Sequence, residues 1–410
     1  MKRILKGVCK ATIAMLCISA GAMTARAQSS PDTASKKAFL PKGQLWGYAF
    51  GDYAFKAHAD TVGGGRGGSN QYSKVPKDNG EFQFRRIYLG YNYDISQKFS
   101  TEFLLAYEDN NSAPNLPAAG DLLSDGKGSL YIKLANLRWK GIFKGTDLVI
   151  GQAATPAFPM STEAVWGYRS IERTITDIRR TPSFDLGVSL QGRYPVGKNE
   201  YGYNLMIGDG NGAKPENDGF KSFYGDVFGK FLDKKLMVDF YADYTRMNWS
   251  PGFHHDRNML KAAVTYSVPR FTVGVEAFYN RLMGDNVAAH IADAGKDTLT
   301  TKASGLSVFV RGKIYKDMFS FFARFDAYNP AGNIDNSKYK SYTPLTAQYD
   351  PNTKEQFVTA GIDFTPHKNV HIMPNIWYNA YKNAGPKDYG AANNDYDLVY
   401  RVTFYYIFGK

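Results

Sequence analysis

The lengths of the connections constrain this chain more than any other feature. Sixteen strand-like segments can be marked out. They begin near Gln44, Glu81, Phe99, Leu130, Asp147, Asp185, Tyr201, Ser222, Leu236, Asn258, Phe271, Lys302, Met318, Gln356, Val370 and Asp397. Seven links between them are tight, at 93–98, 140–146, 195–200, 232–235, 268–270, 315–317 and 366–369. Eight are long, at 59–80, 109–129, 153–183, 210–221, 250–257, 283–301, 329–355 and 382–395. Short and long alternate without exception. When each strand simply runs back beside the last, every second link falls on the same rim, so one rim carries all the tight turns. A Greek-key sandwich has no reason to produce this order.

Side-chain alternation agrees. Leu306, Val308, Val310, Gly312 and Ile314 share one face, and Ser307, Phe309, Arg311 and Lys313 the other. Phe319, Phe321, Ala323, Phe325 and Ala327 lie opposite Ser320, Phe322, Arg324 and Asp326, and Tyr400, Val402, Phe404, Tyr406 and Phe408 opposite Arg401, Thr403 and Tyr405. A face that is apolar along its whole length needs an apolar neighbour, either lipid or a second sheet. The segment near Leu130 changes phase at Ala135. Aromatic residues make up 15% of the chain while the mean hydropathy is negative, which suits strands with one greasy and one wet face. No run of 18 apolar residues follows residue 27, so no helical span is expected.

Residues 1–27 read as a secretory signal. Lys2, Arg3, Lys6 and Lys10 precede an apolar stretch that ends at Ala25-Arg26-Ala27. Cys9 and Cys17 both lie in it, so the mature chain has no thiol chemistry. Loss of its five basic residues lowers the formal charge from +12 to +7, a modest excess that argues against a nucleic-acid partner. Residues 28–43 form a polar leader, and 44–410 hold all the strand-like segments.

The stretch 153–183 is too long for a hairpin and too rich in anchors for disorder. It holds Phe158, Trp166, Tyr168 and Ile171, and mixes Glu163, Glu172 and Asp177 with Arg169, Arg173, Arg179 and Arg180. Loops beyond about 15 residues without secondary structure are usually functional or disordered. Packing inside a barrel, where it narrows the bore, is the reading its composition favours.

Here a resemblance begins. Gly151-Gln152, Pro156, Glu163 and Tyr168-Arg169-Ser170-Ile171-Glu172-Arg173 resemble the loop after a mid-barrel strand in phosphate-selective porins of the O and P type. Phe84-Arg85-Arg86-Ile87-Tyr88-Leu89-Gly90 resembles an earlier strand of theirs, and Leu186-Gly187-Val188-Ser189-Leu190-Gln191-Gly192 the strand after the loop. The resemblance implies a trimeric outer-membrane channel selective for phosphate or polyphosphate through lumenal arginines and lysines. This loop departs from that pattern in having no lysine between residues 153 and 183.

The four loop arginines are the candidates for binding anions at the constriction. Against three carboxylates they leave a net charge of +1. Arg169 or Arg173 has Glu172 within reach as an internal partner. Two guanidinium groups facing open water would attract anions through bidentate contacts, strengthened by a narrow bore. Alternation projects Arg86, Arg193, Lys261, Arg311, Lys313, Arg324 and Arg401 toward the lumen, because a cation at the middle of the lipid face costs roughly 2–4 kcal/mol. Asp239, Asp243, Glu276 and Asp326 project inward by the same rule, so salt bridges within the wall compete with any solute for these cations.

Other motifs are weaker. Gly63-Gly64-Gly65-Arg66-Gly67-Gly68 lacks the βαβ frame of a dinucleotide site. His254-His255-Asp256 has no third ligand at metal-binding spacing. Ser320, His371 and Asn375 would have to converge to make a phospholipase-like outer-membrane enzyme. The expected fold is an all-β, sixteen-stranded antiparallel transmembrane up-and-down β-barrel, with short periplasmic turns, long extracellular loops and an inward-folded constriction loop. Expected partners are outer-membrane lipid, small anionic or hydrophilic solutes, the barrel-assembly machinery (through the aromatic C-terminal strand) and two further copies in a homotrimer. No cofactor, metal or catalytic step is expected. A plugged barrel serving as an adhesin or anchor is the other alternative.

Overall fold

The computed structural model describes residues 39–409 apart from 62–71, 73–74, 109–128, 159–160, 180–181, 217, 247–254, 345–351 and 384–393. The signal segment, most of the leader, the glycine run at 63–68, His254 and Arg180 lie outside the described residues.

Strands β1 (Lys42–His58), β2 (Gly80–Asp94), β3 (Phe99–Glu108), β4 (Ser129–Phe143) and β5 (Thr146–Ala154) follow one another as antiparallel neighbours. After the long excursion come β6 (Phe184–Val196), β7 (Asn199–Gly208), β8 (Ser222–Phe231), β9 (Leu236–Thr245) and β10 (Arg257–Val268). Next are β11 (Phe271–His290), β12 (Lys296–Tyr315) and β13 (Phe319–Asn329). A short β14 (Tyr339–Pro344) precedes β15 (Thr353–His367), β16 (Val370–Asn383) and β17 (Asp395–Phe408). β13 pairs directly with β15, and β17 returns to β1 in a register that sets Asp52 opposite Thr403. Leaving β14 aside, the wall is a closed antiparallel barrel of sixteen strands. Each segment marked out in the sequence is one wall strand.

The expectation of a simple loop at 283–301 is corrected. β11 and β12 continue as a paired hairpin beyond the wall to a tip at 291–295, and β14 adds to its β11 edge, with Asn286 opposite Pro344 and Val287 opposite Thr343. Val287 and Thr298 are β-branched side chains that suit strand, and Ala288 buries against Tyr339 and Tyr342. The 329–355 link is likewise part strand.

The two faces of the wall separate by solvent. On β6, Asp185 is 0% exposed while its neighbour Leu186 is 46% exposed, and the same alternation runs round the barrel. Among its register shifts, two insert an extra inward cation. Phe50 pairs with Arg86 but Gly51 pairs with Phe84, so Arg85 is an inserted residue of β2. Leu104 pairs with Leu134 but Leu105 pairs with Ile132, which makes Lys133 the insertion in β4 and explains the phase change read near Ala135.

Candidate functional site

The 155–183 excursion folds into the barrel as two helical turns, α1 (Thr162–Trp166) and α2 (Ile175–Ile178). Neither turn is long enough to stand alone, so tertiary contacts hold the segment. α1 stops at Gly167, whose φ of 71° is left-handed and whose N–H bonds to Glu163 O at 2.9 Å. The Arg311 guanidinium carbon lies 3.6 Å from where a Cβ would stand there. α2 begins at Thr174, whose hydroxyl accepts from Asp177 N.

Apolar side chains of the loop seat on apolar side chains of the inner wall. Phe158 and Ile175 join a cluster with Met206, Tyr224, Tyr241, Met259 and Phe278. Trp166, Tyr168 and Ile171 join a second with Phe309, Phe322 and Met373. Several wall rings lie flat because the facing residue is glycine. A Cβ on Gly305 would meet Phe278 at 2.1 Å, and one on Gly274 would meet Phe309 at 2.3 Å. Rings folded over glycines leave room for the loop backbone to come close.

That proximity lets wall cations reach loop carbonyls. Lys261 donates to Ala157 O and, at 3.0 Å, to Ser161 Oγ. Arg311 Nε donates to Val165 O at 2.9 Å, Arg85 to Ser170 O, and Arg324 to Arg173 O at 2.5 Å. Wall carboxylates and rings add the converse contacts. Thr176 N donates to Glu276 at 3.3 Å, Arg179 pairs with Glu355 at 2.8 Å, and Trp377 Nε1 donates to Glu172 at 2.9 Å. Tyr168 donates its hydroxyl to Asp363 at 3.2 Å; burial, with Asp363 beside it, pushes this phenol well above its ordinary range and keeps it a donor.

The arginines named from the sequence therefore have distinct positions. Arg169 binds Glu163 and Asp177, the latter at 3.0 Å, rather than Glu172. Arg173 lies 4.0 Å from Glu172 and 3.9 Å from Asp177. Arg179 is buried over the Tyr328 ring. On the wall, Lys261 pairs with Asp239 at 2.9 Å, Arg324 with Asp326, and Arg401 donates to Asn375 Oδ1 at 2.7 Å. Arg86 lies 3.4 Å from Glu108. Arg193 is exposed on β6 beside the tight turn, and Lys313 pairs with Asp317 at the same rim. His371 sits 3.0 Å from Asp363 and Asn375 is engaged by Arg401, so Ser320, His371 and Asn375 do not form a hydrogen-bonded relay.

Sequence reading missed Arg85, Lys133 and Tyr72. Arg85 pairs with Asp52 beneath the loop, and Tyr72, from the link after β1, donates to Asp52 at 2.8 Å and packs on Trp377. Adjacent arginines at 85 and 86 were a usable signal: strict alternation would send one into lipid, and a bulge turns both inward. Nothing in the sequence marks Tyr72.

Exposure of the inward ion pairs differs around the wall. Arg138 and Asp147 pair at 3.0 Å with about a third of each side chain exposed (33% and 31%), whereas Lys261 and Arg324 are sealed at 0% and 1%. Arg86 and Lys133 share Glu108.

A closed sixteen-stranded wall with a long loop folded across its interior is the architecture of outer-membrane porins. Solved structures agree at the level of fold. An anion-selective porin from Comamonas acidovorans superposes with a TM-score of 0.55 at 11% identity, over 90% of this chain and 100% of that one. The outer-membrane channel DcaP of Acinetobacter baumannii gives 0.55 at 13% identity, over 90% and 97%, and Salmonella typhi OmpF in complex with daunomycin gives 0.51 at 12%, over 89% and 97%. No protein-family model and no curated protein matches the chain, so membership of the phosphate-selective O and P type is not established.

Proposed function

We propose that this protein is a passive outer-membrane channel for small hydrophilic solutes with a modest preference for anions. The observation that carries the reading is a closed wall, apolar outside, whose loop is held mainly by β10–β16, with one further bond from Arg85 of β2, and whose most exposed inward ion pair, Arg138–Asp147, lies on β4–β5. Solutes pass between the loop residues Glu163, Arg169 and Asp177 and the wall residues Arg86, Lys133 and Arg138. The named cations and carboxylates of loop and wall balance, so anion preference draws on the anion-selective porin among the structural neighbours and on the wall side alone, where Arg86 and Lys133 share Glu108. Phosphate specificity has less support, because Arg169 and Arg179 are held by carboxylates. The tight turns then lie in the periplasm, the outer face meets lipid, the strand ending at Phe408 is the handle for assembly, and the working unit is a homotrimer.

Planar-bilayer recording of the purified, heat-modifiable protein tests this. Stepwise conductance with a reversal potential toward the anion equilibrium is expected. A folded protein that never conducts overturns the channel and favours the second reading, a plugged barrel acting as anchor or adhesin, for which the two apolar clusters between loop and wall are the specific support. Cation preference would remove the anion reading and leave the channel.

A further inference from the structure

Beneath the loop, toward the tight-turn rim, lies a cavity of about 370 Å³ beside β1–β4 and a second of about 630 Å³ beside β12–β17. The second has an unusual lining. Gly167, Tyr168 and Ser170 of the loop form its ceiling, Arg311 and Ser320 one side, and Met318, Met373, Tyr405 and Ile407 an apolar side.

Its carboxylates are already satisfied. Asp317 is held by Lys313. Asp363 accepts from Tyr168 and from Thr365 at 3.2 Å each, with His371 Nδ1 at 3.0 Å. Arg311 is different. Its Nε goes to Val165 O, and among the described residues no carboxylate lies within 4.0 Å of its guanidinium. Lys368, exposed at the mouth, likewise has no ion-pair partner among the described residues. The guanidinium is only partly buried, so its outer nitrogens stay open to the cavity, and its planar fork matches a carboxylate. His371 stacks on Tyr405 at 5.3 Å, which extends the apolar side into a flat aromatic one.

We propose that this cavity binds a small organic carboxylate with an apolar or aromatic body, its carboxylate on the outer nitrogens of Arg311 and its body against Met318, Met373, Tyr405 and Ile407. A purely inorganic anion would leave half of this lining unused. The volume lies within the ordinary range for small-ligand sites, about 300–1,000 Å³. The inference rests on the channel reading for its biological sense, making the cavity a waiting site on the tight-turn side of the constriction, but binding itself requires no conduction.

Calorimetry of the full barrel in detergent, with benzoate, acetate and inorganic phosphate as probes, tests it. Benzoate binds more tightly than acetate or phosphate, and Arg311→Ala weakens it about tenfold or more, as expected for loss of a charged hydrogen-bonding partner. Since Arg311 also holds Val165, Ile407→Asp is the companion variant. It leaves the Arg311–Val165 bond in place and abolishes benzoate binding while heat-modifiability is unchanged. Equal binding of benzoate and phosphate, or benzoate binding indifferent to both substitutions, overturns the site. A barrel that binds benzoate in this manner without conducting sinks the channel and keeps the site; one that conducts normally without binding benzoate does the reverse.

Discussion

The two halves of the barrel wall use the same residue types for different ends. On β10–β13, Lys261, Arg311 and Arg324 point inward and donate to loop carbonyls, with Asp239 and Asp326 sealed behind two of them. On β2–β5, Arg86, Lys133 and Arg138 also point inward, but their partners are the wall carboxylates Glu108 and Asp147, and exposure rises from 10% at Lys133 and 15% at Arg86 to 33% at Arg138. Where a loop carbonyl lies within reach, as it also does for Arg85 of β2, cations become clamps; elsewhere they pair with carboxylates of the wall. An inward cation alone therefore says little about solute. What matters is whether a backbone carbonyl, a carboxylate or water occupies its far side.

Substitutions on the two halves should separate sharply. Lys261→Ala is expected to have the largest effect, because it leaves Asp239 buried without its cation beside Asp226; losing one partner of a buried pair costs about 3–5 kcal/mol. Denaturant unfolding of the heat-modifiable form measures this, and a loss below about 1 kcal/mol, the range of exposed pairs, would show that the two halves are not energetically different. Arg324→Ala comes next. Like Lys261→Ala it strands a buried carboxylate, here Asp326, at a cost of about 3–5 kcal/mol, and it also removes the charged bond to Arg173 O and frees that part of the loop, so single-channel current becomes larger and noisier. An unchanged, quiet current would mean that the apolar seat alone fixes the loop.

Arg138→Ala, on the more exposed half, should cost no more than about 1 kcal/mol and instead move the reversal potential toward cations, since Asp147 loses its partner. A stability loss as large as that of Arg324→Ala would break the distinction. Smallest is Lys140→Ala: its pair with Asp94 at the tight-turn rim is exposed, and stability and selectivity should both stay within about 0.5 kcal/mol of the parent.

Much of the fold was legible because a wall with one apolar and one wet face imposes a simple pattern. Leu306 and Val308 face out and Ser307 and Phe309 face in, as a period of two requires when one neighbour is lipid. The expectation that wall salt bridges compete for the inward cations describes Lys261 and Arg324 well. Less was legible where the pattern breaks. Arg85 and Lys133 occupy bulges, and the β11–β12 hairpin continues beyond the closed wall, where no apolar surroundings on one side enforce alternation. Partners of the loop were not legible at all. Trp377 meets Glu172 across a sequence separation of 205, a distance no local pattern spans.

By itself the sequence determined the number of strands, the face each presents and the rim on which each connection falls, because these follow from residue alternation and link length against a two-sided solvent. Only the tertiary structure decided which cations hold the loop, which face water, and that Arg311 is left without a carboxylate. Those outcomes depend on how far a loop backbone settles onto flattened aromatic rings, a matter of packing among residues distant in the chain.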